Sequence, residues 1–283
     1  MIKIIESPRD GMQGIKSFIP TALKAKFINA LLKVGFHTLD FGSFVSPKAI
    51  PQLADTAQVL QQLDLSSTNT KLLAIVANVK GGEIATSYPE IHYLGFPFSI
   101  SRTFSELNIN ANIWKAYHTI NRLLEICDKN NKELVLYISM AFGNPYGDRW
   151  SPEILQRWVD ILNQRGVRII ALSDTIGIGN PIHIGNAFKA VVNQFPDIEF
   201  GAHLHTTPQN WYANVNAAYE NGCRRFDAVI NGLGGCPMSQ RQMVGNLPTS
   251  NLKQYLLEKN NYCRLDMAAL YEAQKIAKEV YPS

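Results

Sequence analysis

Residues 151–174 read SPEILQRWVDILNQRGVRIIALSD, and this one stretch holds the unit from which the fold is built. Ser151 opens a segment whose apolar residues (Ile154, Leu155, Trp158, Val159, Leu162) recur at helical spacing, and Gly166 closes it, as helix-end chemistry favours. The next run, RIIALSD, is short, β-branched and apolar, as a strand buried on both faces should be. It ends on Ser173-Asp174-Thr175, a polar group at the strand's C-terminal end.

The unit repeats along the chain. Strand candidates are IKIIES near residue 2, HTLDFGS near 37, KLLAIVAN near 71 and IHYLGFPFS near 91. ELVLYIS near 133, RIIALSD near 168, IEFGAHLH near 198 and RFDAVING near 225 complete the set. Helical stretches lie between them, among them TALKAKFINALLKVG (21–35), which opens on Thr21 and closes on Gly35. Strands alternating with helices predict a parallel sheet, and eight such units predict a (β/α)8 TIM barrel. An open doubly wound sheet is the alternative, but no GxGxxG follows the first strand. The barrel should occupy about residues 1–235. The remainder, about 236–283, carries a loop and two additional C-terminal helices, giving a single domain over 1–283.

The bulk composition fits this reading. Of 283 residues 46% are hydrophobic, and no apolar run is long enough to span a membrane. The N-terminus has no signal-peptide core and enters structure at once. Net charge is +4 with Lys and Arg scattered, which argues against nucleic acid and suits an anionic small substrate. Four widely spaced cysteines, without CxxC, predict reduced thiols in a cytoplasmic protein.

In a TIM barrel, catalysis gathers at the C-terminal strand ends. The polar residues fall there: Arg9 and Asp10 after strand 1, Asp40 on strand 2, Ser173 and Asp174 on strand 6, His203 and His205 on strand 7. Side chains two apart on a strand share a face, so both imidazoles should face the barrel mouth while Leu204 turns outward. Imidazoles, a carboxylate such as Asp10 and an amide oxygen suit Mg2+, Mn2+ or Zn2+. Two hydrogen-bonded histidines in a polar barrel end are the competing reading. Arg9 can stabilise an oxyanion or simply pair with Asp10, and Asp40 can orient Arg9. Asp174 can also cap the following turn. After strand 8, GLGGCP (232–237) sets a thiol, Cys236, on a glycine-rich loop, where it can serve as acid, base or nucleophile.

These stretches resemble the 3-hydroxy-3-methylglutaryl-CoA lyases, within the DRE-TIM metallolyases. The matching motifs are PRDGMQ (8–13), SFVSPKAIPQ (43–52), NIN (108–110), SDTIG (173–177), HLH (203–205), GLGGCP (232–237) and GNLPT (245–249), in order along nearly the whole chain. The resemblance implies a divalent-metal barrel that cleaves 3-hydroxy-3-methylglutaryl-CoA to acetyl-CoA and acetoacetate, commonly in leucine degradation, and a homodimer. It implies Asp10, His203, His205 and Asn246 as metal ligands, and Arg9, Asp40, Cys236 and His203 as catalytic groups. Gln13, Ser43, Ser173 and Asp174 would lie against the substrate.

The chain departs from the family pattern at several places. Asp40 stands where a glutamate is usual, Thr206 follows HLH where an aspartate is common, and Gly14 and Ile15 replace an Asn and an acidic residue. Arg102, near the fourth loop, stands where an acidic residue is usual, which bears on the acyl group. Competing functions are a Claisen-type synthase, a lyase for another 3-hydroxy-3-substituted glutaryl-CoA, and a non-catalytic metal-binding barrel. The thiol loop favours cleavage.

Overall fold

The computed structural model describes residues 1–235, 244–261 and 264–281. Eight strands form in the predicted places: β1 Lys3–Glu6, β2 Thr38–Ser43, β3 Lys71–Ile75 and β4 Ile91–Ser99, then β5 Glu133–Ser139, β6 Ile169–Asp174, β7 Glu199–Leu204 and β8 Arg225–Ala228. Each pairs in parallel with its sequence neighbour, and β8 returns to β1 through Lys3–Arg225 to Glu6–Ala228, closing the barrel. The expected (β/α)8 barrel is therefore the fold.

Strand alternation creates two apolar layers. Residues such as Leu39, Leu72, Leu94, Leu136, Leu172 and Phe226 point outward and join the helices in one continuous core. Leu73, Tyr93, Val135, Tyr137, Ile169 and Ala171 point inward and fill the barrel. Strands buried on both faces need apolar residues at nearly every position, so period-2 alternation is weak in this sequence.

The helices are α1 Pro8–Gln13, α2 Thr21–Leu32, α3 Thr56–Leu60, α4 Val79–Thr86, α5 Arg102–Ile109 and α6 Ile113–Lys129, then α7 Pro152–Gln164, α8 Pro181–Val191, α9 Trp211–Glu220, α10 Thr249–Glu258 and α11 Met267–Val280. The cap at Ser151 is present: its side chain accepts from the Ile154 N–H, worth about 1 kcal/mol. The cap expected at Thr21 is not. Pro20 precedes α2, Thr21 is its first helical residue, and the Thr21 hydroxyl instead donates to Asp55 at 2.7 Å. Gly166 adopts the left-handed conformation that ends α7 (φ +94°).

Of the C-terminal helices, α10 lies beside α9 and α11 lies along α2, where Phe27 and Tyr281 meet edge to face at 5.6 Å. No helix among the described residues is long and apolar enough to cross a membrane. Cys127 and Cys223 are free and buried, and burial pushes the Cys127 thiol up to about 12. Cys236 and Cys263 lie outside the described residues.

Candidate active site

Arg9, Asp10, Ser173, His203 and His205, five of the polar residues at the C-terminal strand ends, line one open cleft. Arg9 and Asp10 sit on α1, a short helix set directly after β1 and led by Pro8, whose fixed φ suits a first helical turn. Gly11 lets this helix settle onto the barrel: a Cβ there would lie 2.6 Å from the Tyr281 hydroxyl.

β2 reaches the site through a bulge. Its register against β3 slips between Asp40 and Gly42, so two successive residues turn to the helix side. Phe41 joins the outer core, and a Cβ on Gly42 would meet Thr56 of α3 at 2.5 Å. Asp40 and Ser43, three apart, consequently both face inward. Asp40 accepts from Arg9 Nε at 3.0 Å, and Arg9 Nη2 completes the fork on the same carboxylate oxygen at 2.5 Å. Arg9 Nη1 donates to Asp10 at 2.8 Å and to Gln13 at 2.9 Å. Burial disfavours a charge on Arg9, but Asp40 and Asp10 outweigh it and hold the guanidinium protonated. Burial also opposes ionisation of Asp10, and Arg9 and the two histidines overcome it, keeping this carboxyl below its ordinary range.

His203 ends the inward face of β7, paired with Ser173 on one side and Asp227 on the other. His205 lies just beyond the strand. It is bridged to Asn246, whose segment is sewn in by Thr206 N–H to Gly245 O at 2.8 Å and Leu247 N–H to Leu204 O at 2.9 Å. Asn246 donates to Asp10 at 2.7 Å and to the Leu233 carbonyl at 2.8 Å.

The donor set fits a cation. Ligand atoms of Asp10, His203 and His205, all buried, lie within 4.8 Å of one another. His203 Nδ1 is held by Asp227 at 3.0 Å and His205 Nδ1 by the Val244 carbonyl at 2.7 Å. Both rings are thereby fixed with Nε2 left for a ligand role, the arrangement metal-binding histidines generally show. Burial, then the neighbouring His203, pushes His205 down to about 4, which keeps its lone pair free. For His203, burial works the same way, but the Asp227 hydrogen bond and charge raise its proton affinity above the ordinary value.

The structure also separates residues that the sequence grouped. Ser43, Ser173 and Gln13 line the cleft with Arg9, Asp10, His203 and His205. Asp174 does not. Strand alternation turns it to the helix layer, where its carboxylate accepts from the Ile178 and Gly179 N–H groups, each at 3.0 Å. Arg102 is likewise outside the cleft, 78% exposed along α5 and paired with Glu106, while Asn108 and Ile109 line the wall. Thr206 is buried, and its hydroxyl has no partner among the described residues. Gly14 ends α1, and Ile15 packs against the core. Of GLGGCP, the described part runs against Asp10 and Asn246: a Cβ on Gly234 would lie 2.6 Å from the Asp10 carbonyl oxygen and 2.7 Å from Asn246 Nδ2.

Two site residues escaped sequence reasoning. Asp227 on β8 anchors His203, and Tyr137 on β5 lines the cleft with its ring edge-on to His203 at 5.8 Å. The available signal was a carboxylate in the middle of a strand, the Asp of RFDAV.

A closed parallel barrel with a buried carboxylate–bis-imidazole cluster at the C-terminal strand ends defines a TIM barrel whose rim can hold a metal ion. Comparison with known proteins narrows this. The HMGL-like family model matches residues 2–277, and the chain belongs to that family. It is an enzyme of the carbon–carbon lyase type that its relatives represent. The mitochondrial hydroxymethylglutaryl-CoA lyase of Macaca fascicularis is 33% identical over 260 residues, covering 91% of this chain and 78% of the relative. The crystal structure of the HMG-CoA lyase from Brucella melitensis superposes with a TM-score of 0.91 at 30% identity, covering 100% of this chain and 99% of that one. An HMG-CoA lyase from Acinetobacter baumannii, in complex with coenzyme A and 3-methylmalate, gives a TM-score of 0.90 at 28% identity, with 99% and 91% covered.

Proposed function

We propose that this protein cleaves 3-hydroxy-3-methylglutaryl-CoA to acetyl-CoA and acetoacetate, with a divalent cation held by Asp10, His203, His205 and the side-chain oxygen of Asn246. The observation that carries this reading is the cluster of Asp10, His203 and His205 beside the Arg9 guanidinium at one cleft. A coenzyme A complex of a relative sharing the fold supports a thioester substrate. Two hard oxygen donors beside two imidazoles suit Mg2+ or Mn2+, and the set also accommodates Zn2+.

When bound, the cation supplies Lewis-acid polarisation that makes the substrate's 3-hydroxyl easier to deprotonate. A base beside the cation, Asp10 or His203, removes that proton; with His203 Nδ1 tied to Asp227 and Nε2 given to the cation, Asp10 is the one with a lone pair to spare. The C2–C3 bond then breaks, its electron pair passing to C2 as the C3 oxygen becomes a carbonyl. Arg9, kept charged and fixed by its fork on Asp40, stabilises the negative charge that develops on oxygen. Cys236, on the loop whose described part runs past Asp10, returns a proton to C2 to give acetyl-CoA. Ser43, Ser173 and Gln13 orient the acyl group, whereas Asp174 acts by shaping the turn after β6. The protein works in the cytosol as a homodimer, with leucine degradation as its setting.

The test is incubation of the purified protein with 3-hydroxy-3-methylglutaryl-CoA, with Mg2+ or Mn2+ and then with a chelator, assaying acetoacetate and acetyl-CoA. Metal-dependent formation of both is expected. Absence of product with either ion would overturn the reading.

A further inference from the structure

Barrel order sets the ligand cluster and the apolar residues of the mouth on opposite sides. Asp10 follows β1 and the histidines end β7, so the ion-binding sector spans β7, β8 and β1. Half a barrel away are β3 and β4, whose mouth-facing residues are Ile75 and Pro97. The apolar surface continues through Ala77 after β3, Ile109 at the end of α5, and Val45 and Ile50 in the loop after β2. These six side chains are only half buried, whereas Leu73 and Tyr93, one layer deeper on the same strands, are sealed. All six line the cleft, and apolar lining of this kind is what a ligand's hydrocarbon covers.

The 3-methylglutaryl group has little hydrocarbon to offer. Its two arms end in a carboxylate and a thioester, which find Ser43, Asn108, Ser139, Ser173 and Thr175 on the polar wall. Its one apolar branch is a methyl, too small to cover more than two or three of the six apolar side chains. With the 3-hydroxyl directed at the ligand cluster and both arms taken up by polar residues, the C3 branch is the substituent left for the apolar wall.

We propose that the site takes coenzyme A thioesters of 3-hydroxy-3-alkylglutarates whose C3 alkyl chain is longer than methyl and lies along the Ile75–Pro97–Ile109 wall. This rests on the lyase reading above and extends it. The step balances without any redox partner: the C2–C3 bond breaks, the hydroxyl proton leaves as C3 becomes a ketone, and C2 gains one proton. The products are acetyl-CoA and a 3-oxo acid that carries the alkyl chain on its carbonyl.

The experiment compares kcat/KM, in the presence of Mg2+, for 3-hydroxy-3-methyl-, ethyl-, propyl- and butylglutaryl-CoA. Burial of each added methylene on the wall should raise kcat/KM about fourfold, at least as far as propyl. Ala77→Leu, which fills the wall, should reverse the order so that methyl becomes the best substrate. If the methyl compound is cleaved and kcat/KM falls with every added carbon, the inference fails while the lyase reading stands. If no member of the series is cleaved, the lyase reading itself fails. If Ala77→Leu raises KM equally for all four, the wall serves the pantetheine arm they share, and the inference is overturned.

Discussion

Asp227 Oδ2 lies 3.0 Å from His203 Nδ1, so the carboxylate on one strand fixes which nitrogen of the neighbouring strand's imidazole faces the ligand cluster. Such partners usually contribute tenfold to a hundredfold to metal affinity. Asp227→Ala should therefore weaken Mn2+ binding by that factor, measured by titration calorimetry. Asp227→Asn, which keeps an acceptor but not the charge, should fall between. Unchanged affinity in the alanine variant would remove Asp227 from the site.

Arg9 offers Asp40 a planar fork that a lysine cannot reproduce. Arg9→Lys keeps the charge and loses the geometry. Turnover should drop by about two to three orders of magnitude, as when an oxyanion donor is removed, with KM changed far less. A variant within threefold of the wild-type kcat would show that the fork is dispensable.

Cys236 has the most specific chemical assignment. Replacing it with alanine should lower kcat by about 10²–10⁴, the range for loss of a proton donor, while Mn2+ affinity persists. Loss of metal binding in parallel would mean that the substitution disturbs Asp10 and Asn246 instead.

Glu6 provides a pH signature outside the ligand set. It is fully buried, accepting from the Ile230 N–H at 2.7 Å and the Thr249 hydroxyl at 2.6 Å. Burial outweighs both hydrogen bonds and raises its carboxyl from 4.5 to about 8. The folded state thus holds a proton that the unfolded chain has released, and stability should fall as pH climbs from about 4.5 to about 8. Glu6→Gln carries no such titration. Its melting temperature should gain on the wild type steadily across that window, then run parallel above it. A difference that stays constant with pH would mean that Glu6 is ionised throughout.

The barrel was legible because β-branched runs and capped helices alternate eight times, and each strand formed where its run predicted. Residues at the strand ends were legible as a group, since an apolar run that stops on Asp or His marks a rim. Direction was harder. Ser173 and Asp174 are neighbours, yet only the first faces the cleft, because one residue of shift exchanges the inside of the barrel for the helix layer. Arg102 appeared beside substrate-facing residues in sequence and projects to solvent from the far side of α5. Asp227 was hidden for the opposite reason: its partner His203 is on another strand, and pairing across strands leaves no mark in either run. Asn246 depended on the resemblance, since only the bridge to His205 carries its segment to the rim.

The bulge in β2 makes the active site depend on chain length at that point. Were β2 regular over the same residues, Ser43 would swing out among the helices and Gly42 would face the mouth, although both residues would still be there. Asp40 and Ser43 share the inward face at a spacing of three because one extra residue is taken up between them, whereas a deletion of Phe41 would keep both inward at a spacing of two and cost the outer core that ring. Part of the specificity of this site is written as a count of residues.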